Sequence, residues 1–170
     1  FGGQVGAAHL SISEDGLLAY VPADVGAAMR SLAWVDRQGR ETALRVPGRA
    51  YVYPRISPDG RQLALDIRDQ EQDIWLWDLA RETLTRFTFD PGADIGPLWT
   101  RDGRRLLFSR VGQGLMSQDA SGTGSPERVI ESGLNTVTGL SFTSDGSKLV
   151  FSDNTTQGFD IKMLDMTGKK

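Results

Sequence analysis

The sequence has 170 residues, with 19 Lys and Arg against 22 Asp and Glu, and its net charge of −3 argues against duplex nucleic-acid binding. Hydrophobic residues make up 39% and charged residues 24%, a balance typical of a globular protein with a packed core. The lack of cysteine excludes disulfides, thiolate nucleophiles and cysteine-ligated zinc, and a Ser-His-Asp triad would have to use the single histidine, His9.

Four Asp-Gly pairs recur along the chain at a nearly constant spacing. They begin at Asp15, Asp59, Asp102 and Asp145, at intervals of 44, 43 and 43 residues. A Ser or Thr two residues before each Asp can hydrogen-bond the turn backbone, as the Asp can, and the Gly can take a positive φ. Each pair is therefore predicted to be a hairpin turn between two strands.

Short apolar segments precede and follow each turn, and their alternation of large apolar residues predicts strands. The strands before the turns are predicted at His9–Ile12, Pro54–Ile56, Pro97–Trp99 and Gly139–Phe142. Those after the turns are predicted at Leu17–Val21, Gln62–Ile67, Arg105–Val111 and Lys148–Ser152. Third strands are predicted at Leu32–Asp36, Ile74–Asp78, Gly114–Asp119 and Ile161–Asp165, and fourth strands at Glu41–Val46, Leu84–Phe89 and Pro126–Ile130.

Four strands per unit and a constant period predict an all-β fold, a β-propeller of four-stranded antiparallel blades. About four blades are expected within one partial propeller that spans 1–170, at approximately 8–47, 52–90, 95–131 and 138–170. A β-sandwich is the alternative architecture. It explains the strands but not the constant period.

The second unit carries a recognisable motif. Ile56–Ala64 followed by Asp73–Leu79 resembles the SPDG and IWxxD blade of TolB-like, WD-repeat-like β-propellers. The departures from this motif in the other units include Glu14, Arg101 and Ser144, which stand where it has proline. The resemblance covers essentially the whole chain and implies part of a six- to eight-bladed ring. Leu32–Gly39 resembles the start of a blade in propellers fused to bacterial serine/threonine kinases.

The resemblance implies a function as well as a fold. The expected function is a non-enzymatic module that binds a protein or peptide, as a sensor or scaffold domain of a bacterial multidomain protein. The alternative is the N-terminal gating propeller of a prolyl-oligopeptidase-like serine peptidase, whose catalytic domain would lie outside these residues. A third form is free-standing TolB-type scaffolding, and the family favours a periplasmic or extracytoplasmic location. No catalytic residue is predicted, because no Gly-x-Ser-x-Gly motif accompanies His9.

In propellers of this family, the connections from a fourth strand to the next inner strand gather at the mouth of the central channel. These connections are predicted at Gly48–Arg55, Asp90–Pro97 and Glu131–Val137. Tyr and Arg are enriched at binding hot spots, so the first connection is the most interface-like. The candidate binding residues are Arg49, Tyr51, Tyr53, Arg55, Asp94 and Asn135.

Two sets of acidic residues also need an interpretation. The cluster of Asp66, Asp69, Glu71 and Asp73 has carboxylates that Ca²⁺ prefers, but its spacing fits no EF-hand loop. No metal site and no cofactor are therefore predicted. The aspartates at the ends of the third strands, Asp36, Asp78, Asp119 and Asp165, repeat with the blade. They are predicted to hold turns rather than to act in acid–base chemistry.

The expected partner is a protein or peptide, with no nucleic acid and no membrane insertion, since no run of 18 apolar residues occurs. A partial ring also leaves a blade face uncovered at each open side. Such faces are apolar in a propeller, so the sequence predicts either self-association through them or a chain that is one part of a longer protein.

Overall fold

The computed structural model describes residues 10–12, 18–20, 29–69, 71–132, 136–155 and 158–168. The regular elements in these ranges are all β-strands. No helix found in the described ranges is long and apolar enough to cross a membrane.

The strands form four antiparallel sheets in which strands adjacent in sequence are also neighbours in space. The first sheet consists of β1 (Leu10–Ile12), β2 (Leu18–Tyr20), β3 (Ala33–Val35) and β4 (Glu41–Ala43). The second consists of β5 (Tyr51–Ile56), β6 (Gln62–Arg68), β7 (Gln72–Asp78) and β8 (Thr83–Arg86). The third consists of β9 (Asp94–Trp99), β10 (Arg105–Arg110), β11 (Gly114–Asp119) and β12 (Glu127–Glu131). The fourth consists of β13 (Thr136–Phe142), β14 (Lys148–Thr155) and β15 (Gly158–Asp165). This arrangement confirms the predicted partial propeller.

The sheets pack in series through their first strands, which contact one another in the order β1, β5, β9 and β13. Within the described part of the chain, the fourth sheet does not pack against the first sheet to a comparable extent. The first strands therefore form the inner side of an arc. The second and third sheets each present one face to the sheet before them and the other face to the sheet after them.

Apolar side chains fill the three spaces between neighbouring sheets. Leu32 of the first sheet packs with Leu63 and Trp77 of the second, in a cluster of buried residues. Ile74 packs against the third sheet, and Leu115 of the third sheet packs against the fourth. Burying a side chain of this size contributes about 1.5–3 kcal/mol, so these interfaces hold the series of sheets together.

The Asp-Gly turns have the predicted hydrogen bonds. In the last of them, Thr143 Oγ1 donates to Asp145 Oδ1 at 2.6 Å and accepts from the backbone N of Lys148 at 3.0 Å. Asp145 also accepts from the backbone N of Ser147 at 3.0 Å, and Gly146 has a φ of 72°. The same pattern recurs at residues 57–62 and 100–105, whereas the turn at Asp15 lies outside the described residues.

We expect Asp145 to titrate well below its ordinary pKa of 3.8. The hydrogen bonds from Thr143 and Ser147 lower the pKa of Asp145 to about 2. A lowered folded pKa means that the stabilisation is complete above the unfolded value and is lost as the pH falls towards 2. An NMR titration of the carboxyl carbons measures this directly, and Thr143→Val should raise the value. A folded-state pKa of Asp145 near 3.8 would contradict the turn geometry.

The aspartates at the ends of the third strands hold turns, as predicted. Asp36 Oδ1 accepts from the backbone N of Gln38 and of Arg40, both at 2.9 Å. Equivalent bonds to backbone N–H groups occur at Asp78, Asp119 and Asp165. These carboxylates are committed to the backbone of their own turns.

The inner strands are longer than the sequence pattern predicted. β5 begins at Tyr51 and β9 begins at Asp94, so most of the residues assigned to connections lie within strands. The physical reason is a bulge: the register of β5 against β6 shifts between Val52 and Arg55. A bulge adds an unpaired residue and interrupts the alternation of side chains, so the pattern beyond it does not read as a strand.

Candidate functional site

Two ends of the molecule can be distinguished. The turn face contains the Asp-Gly turns between the first and second strands of each sheet. The loop face, at the opposite end, contains the connections between sheets and the hairpins that join the second and third strands. Binding residues in a repeat fold are commonly carried by such loops on a rigid scaffold, and most of the candidate residues lie at the loop face.

Arg49 lies in the connection between the first and second sheets and is held on both sides. Its guanidinium donates to Asp69 Oδ2 at 2.6 Å and Oδ1 at 2.9 Å, in a two-pronged ion pair. The guanidinium carbon also lies 4.5 Å from the ring centroid of Trp75. The hydrogen bond with Asp69 raises the pKa of Arg49. Arg49 therefore ties this connection to the hairpin between β6 and β7.

Tyr51 is fully buried at the start of β5. Its hydroxyl donates to the carbonyl of Pro47, and burial raises the pKa of Tyr51 to about 12. The ring packs in the core between the first and second sheets. A partner would not reach this side chain, so substitution of Tyr51 is expected to change the stability of the fold rather than a direct contact with a partner.

Tyr53 lies at the bulge of β5 with a φ of 48°, in the left-handed region that L-residues with a side chain rarely adopt. By strand pairing, Tyr53 occupies the same position in the second sheet as Gly96 occupies in the third, and Gly96 also has a positive φ, of 61°. The guanidinium carbon of Arg68 lies 5.5 Å from the Tyr53 ring centroid. A strained, half-buried aromatic residue at the inner strand is a candidate functional residue, because strain of this kind clusters at functional sites.

We expect the strain at Tyr53 to show in a pair of substitutions. Tyr53→Gly should be more stable than Tyr53→Ala by about 1 kcal/mol, because only glycine adopts this φ without steric cost. Urea unfolding of both variants measures the difference. The matched pair at Val52, whose φ is not positive, should show the opposite order, with alanine the more stable. Equal stability of the two Tyr53 variants would contradict the strain.

Arg55 and Asp94 have partners within the fold. The carbonyl of Arg55 accepts a hydrogen bond from Trp99 Nε1 at 3.0 Å, and burial lowers the pKa of Arg55. Asp94 is buried and accepts two hydrogen bonds from Arg110, both at 2.9 Å. These contacts join the second sheet to the third and β9 to β10. Asn135, the remaining candidate, lies outside the described residues.

The acidic residues of the hairpin between β6 and β7 are each paired with an arginine. The pairs are Asp66 with Arg68 at 2.8 Å, Asp69 with Arg49 at 2.6 Å, and Glu71 and Asp73 with Arg86 at 2.7 and 2.8 Å. No group of residues that could hold a metal ion was found in the described ranges. The loop face is therefore a band of paired charges rather than a patch of one sign.

Phe89 is the residue of the loop face that the sequence pattern missed. Its side chain is 71% exposed, and the guanidinium carbon of Arg86 lies 5.3 Å from its ring centroid. Arg86 is fixed in turn by Glu71, by Asp73 and by the carbonyl of Thr88, to which it donates at 2.8 Å. Phe89 borders a cavity of about 520 Å³.

The prediction placed Phe89 at the end of a fourth strand, but β8 ends at Arg86. The backbone N of Phe87 and of Thr88 both donate to the carbonyl of Ile74, so the chain bends after the strand. Phe87 turns into the core and Phe89 turns into solvent. The residues Asp90-Pro91-Gly92 that follow are the one sequence signal for this bend, since Pro and Gly mark turns.

A second exposed apolar surface lies on the fourth sheet. Its outer face, the one directed away from the third sheet, carries Phe159, Ile161 and Met163, which are 66%, 61% and 65% exposed. Ile161 pairs with Ser152 of β14, as Ile74 pairs with Asp66 and Leu115 with Ser109. Ile74 and Leu115 are fully buried by the next sheet. Ile161 therefore occupies a position that a following sheet covers elsewhere in the molecule.

Comparison with known proteins gives a consistent result for the sequence and for the fold. The sequence model of the TolB beta propeller domain family matches residues 11–170. A TolB structure from Acinetobacter baumannii is 19% identical with a TM-score of 0.72, and the matched region covers 99% of this chain and 42% of the TolB chain. A putative TolB from Agrobacterium tumefaciens is 24% identical with a TM-score of 0.73, and the matched region covers 94% of this chain and 61% of the Agrobacterium chain. A chain of the nidogen/laminin complex is 13% identical with a TM-score of 0.71, and the matched region covers 92% of this chain and 59% of that chain. The chain thus spans less than two thirds of these structures.

Proposed function

We propose that this chain, which belongs to the TolB beta propeller domain family, is a non-enzymatic module that binds a protein or peptide partner through its loop face. The observation that carries the proposal is the exposed ring of Phe89, fixed by Arg86 beside a cavity. Aromatic and arginine side chains held in place are typical of binding hot spots, because little conformational entropy is lost on contact. Propellers in the nidogen/laminin complex and in the mitotic checkpoint complex have similar folds and support a protein partner.

We propose further that the module is a sensor or scaffold domain of a bacterial multidomain protein, in which it is fused to a kinase domain. The support is the resemblance of Leu32–Gly39 to the start of a blade in kinase-fused propellers. The flanking sequence distinguishes this from a peptidase gate. His-Arg-Asp and Asp-Phe-Gly motifs upstream indicate a kinase, whereas a Gly-x-Ser-x-Gly motif downstream indicates a serine peptidase.

We expect Phe89→Ala to weaken partner binding at least about tenfold, because hot-spot aromatic residues contribute this much or more. The probe is a peptide enriched from a random seven-residue phage library that is selected against the chain. Fluorescence polarisation then measures its dissociation constant for the wild type and for each variant.

Phe159→Ala provides the matched control for this measurement. Phe159 is exposed to a similar extent but lies on the outer face of the fourth sheet. We expect this variant to bind the peptide as the wild type does. If Phe89→Ala binds equally well while Phe159→Ala does not, the binding surface is the fourth sheet and the loop-face proposal is wrong.

The outer face of the fourth sheet supports a second kind of contact, which is self-association. Three large apolar side chains alternate along β15 on this face, and the residues equivalent to Ile161 in the second and third sheets, Ile74 and Leu115, are covered by another sheet. Exposed apolar surface of this kind is a common site of association. We propose that a second copy of the chain covers it when the chain is alone in solution.

A further inference from the structure

The turn face has a groove that recurs between neighbouring sheets. Between the first and second sheets it is lined by Trp34, Ile56 and Leu79 and has a volume of about 520 Å³. Between the third and fourth sheets it is lined by Phe142 and Met166 in the equivalent positions and has a volume of about 700 Å³. Ile56 and Phe142 each stand three residues before the Asp of their turn. Leu79 and Met166 are equivalent because each donates its backbone N–H to the carbonyl of the second residue after that Asp, Arg61 and Ser147 respectively.

One large side chain fills the same position between the second and third sheets. Trp99 stands where Ile56 and Phe142 stand in the other sheets, and it is buried with Phe87 in the core. Its Nε1 donates to the carbonyl of Arg55 at 3.0 Å. The groove between the third and fourth sheets is therefore open because Phe142 is smaller than the indole that fills the neighbouring interface.

The groove between the third and fourth sheets has an apolar floor and a charged rim. Leu107, Val129, Phe142 and Met166 form the floor. On the rim, the carboxylates of Asp102 and Asp145 accept hydrogen bonds within their turns, and that of Glu127 pairs with Arg105 at 3.0 Å. The carboxylates beside the groove are thus already neutralised or hydrogen-bonded.

Arg101 is the rim cation that makes no ion pair with any residue in the described part of the chain. It replaces the proline of the repeat motif, and its side chain lies over Gly146, where an added Cβ would come within 3.5 Å of Arg101 Cγ. Pro58 lies over Gly103 in the same way between the second and third sheets. Arg101 therefore places an available positive charge where the neighbouring interface has an apolar ring.

We propose that this groove binds a peptide segment of a partner in which a large apolar side chain is flanked by a carboxylate. The apolar side chain takes the position that Trp99 fills in the neighbouring interface, and the carboxylate pairs with Arg101. Charge complementarity favours an acidic segment, because the carboxylates of the rim are occupied whereas the Arg101 guanidinium makes no ion pair with the residues that the structure describes. The groove lies at the opposite end of the molecule from the loop face, so its test is independent of the proposed function.

The test uses NMR titration of the 170-residue chain with the capped peptide acetyl-Asp-Phe-Asp-Leu-amide. We expect shifts of backbone amides that line the groove, with saturation in the millimolar range, and weaker binding of the neutral peptide acetyl-Asn-Phe-Asn-Leu-amide. Arg101→Glu should weaken the binding of the acidic peptide about fivefold, as expected for loss of an exposed ion pair. Arg104→Glu is the matched control, since Arg104 is on the same turn but does not line the groove.

A second variant tests the groove without changing charge. Phe142→Trp should fill the groove as Trp99 does in its interface and abolish the shifts while the rest of the spectrum is preserved. Absence of shifts at about 5 mM peptide, shifts confined to the loop face, or wild-type binding by Arg101→Glu and Phe142→Trp would each overturn the proposal. Equal binding of the acidic and neutral peptides would overturn the role of Arg101.

Discussion

Replacement of Arg110 by methionine is expected to lower the free energy of unfolding by about 3–5 kcal/mol, the cost of leaving a buried charge without its partner. Arg110 is almost fully buried and donates to both oxygens of Asp94 at 2.9 Å. It also contacts Asp90 at 2.7 Å. Methionine has a similar length but no charge, so the buried carboxylate of Asp94 would lose its counter-ion. Urea unfolding measures the loss.

A double substitution separates the charge from the packing. Arg110→Met combined with Asp94→Asn removes both buried charges, and we expect it to be more stable than Arg110→Met alone. Arg104→Met is the surface control, because Arg104 is exposed at the turn face. Its effect should stay within about 0.5 kcal/mol. A loss below about 1 kcal/mol for Arg110→Met would show that the pair between Arg110 and Asp94 does not hold this part of the fold.

The second large effect is expected at the outer face of the fourth sheet. The chain should self-associate, and the double variant Ile161→Glu with Met163→Glu should be a monomer. Glutamates on this face oppose association because burying an unpaired carboxylate is strongly unfavourable. Light scattering over a range of protein concentrations measures the mass against the 18.6 kDa of one chain.

The control for this prediction is Phe89→Glu. Phe89 is also strongly exposed, but it lies at the loop face rather than on the outer face of the fourth sheet. We expect the mass of this variant to equal that of the wild type. A wild-type chain that remains at 18.6 kDa at every concentration would contradict self-association, and a monomeric Phe89→Glu variant would move the contact to the loop face.

The parts of the fold that depend on local chemistry were predictable from the sequence. The turns at Asp59, Asp102 and Asp145 follow from hydrogen bonds within five or six residues, so their Ser or Thr, Asp and Gly identify them. The regular interval between these turns then predicts equal units. Neither inference requires knowledge of contacts between distant residues.

The candidate site was less predictable because its geometry depends on distant contacts. The bulge at Tyr53 lengthens β5, and it follows from pairing with β6 rather than from the residues themselves. The exposure of Phe89 follows from a bend that Ile74 holds by accepting two backbone hydrogen bonds. The burial of Tyr51 follows from packing between two sheets. The aromatic and arginine residues therefore predicted a binding surface at the loop face, but they did not predict which side chains reach solvent.

The most direct test of the central claim is the footprint of a selected peptide on the chain, measured by NMR shifts of the backbone amides. The claim is that the loop face is the binding surface and that Phe89 is its anchor. It predicts that the largest shifts lie in the hairpin between β6 and β7 and in the segment from Phe89 to Gly92. A footprint confined to the outer face of the fourth sheet, with no change at Phe89, would contradict it.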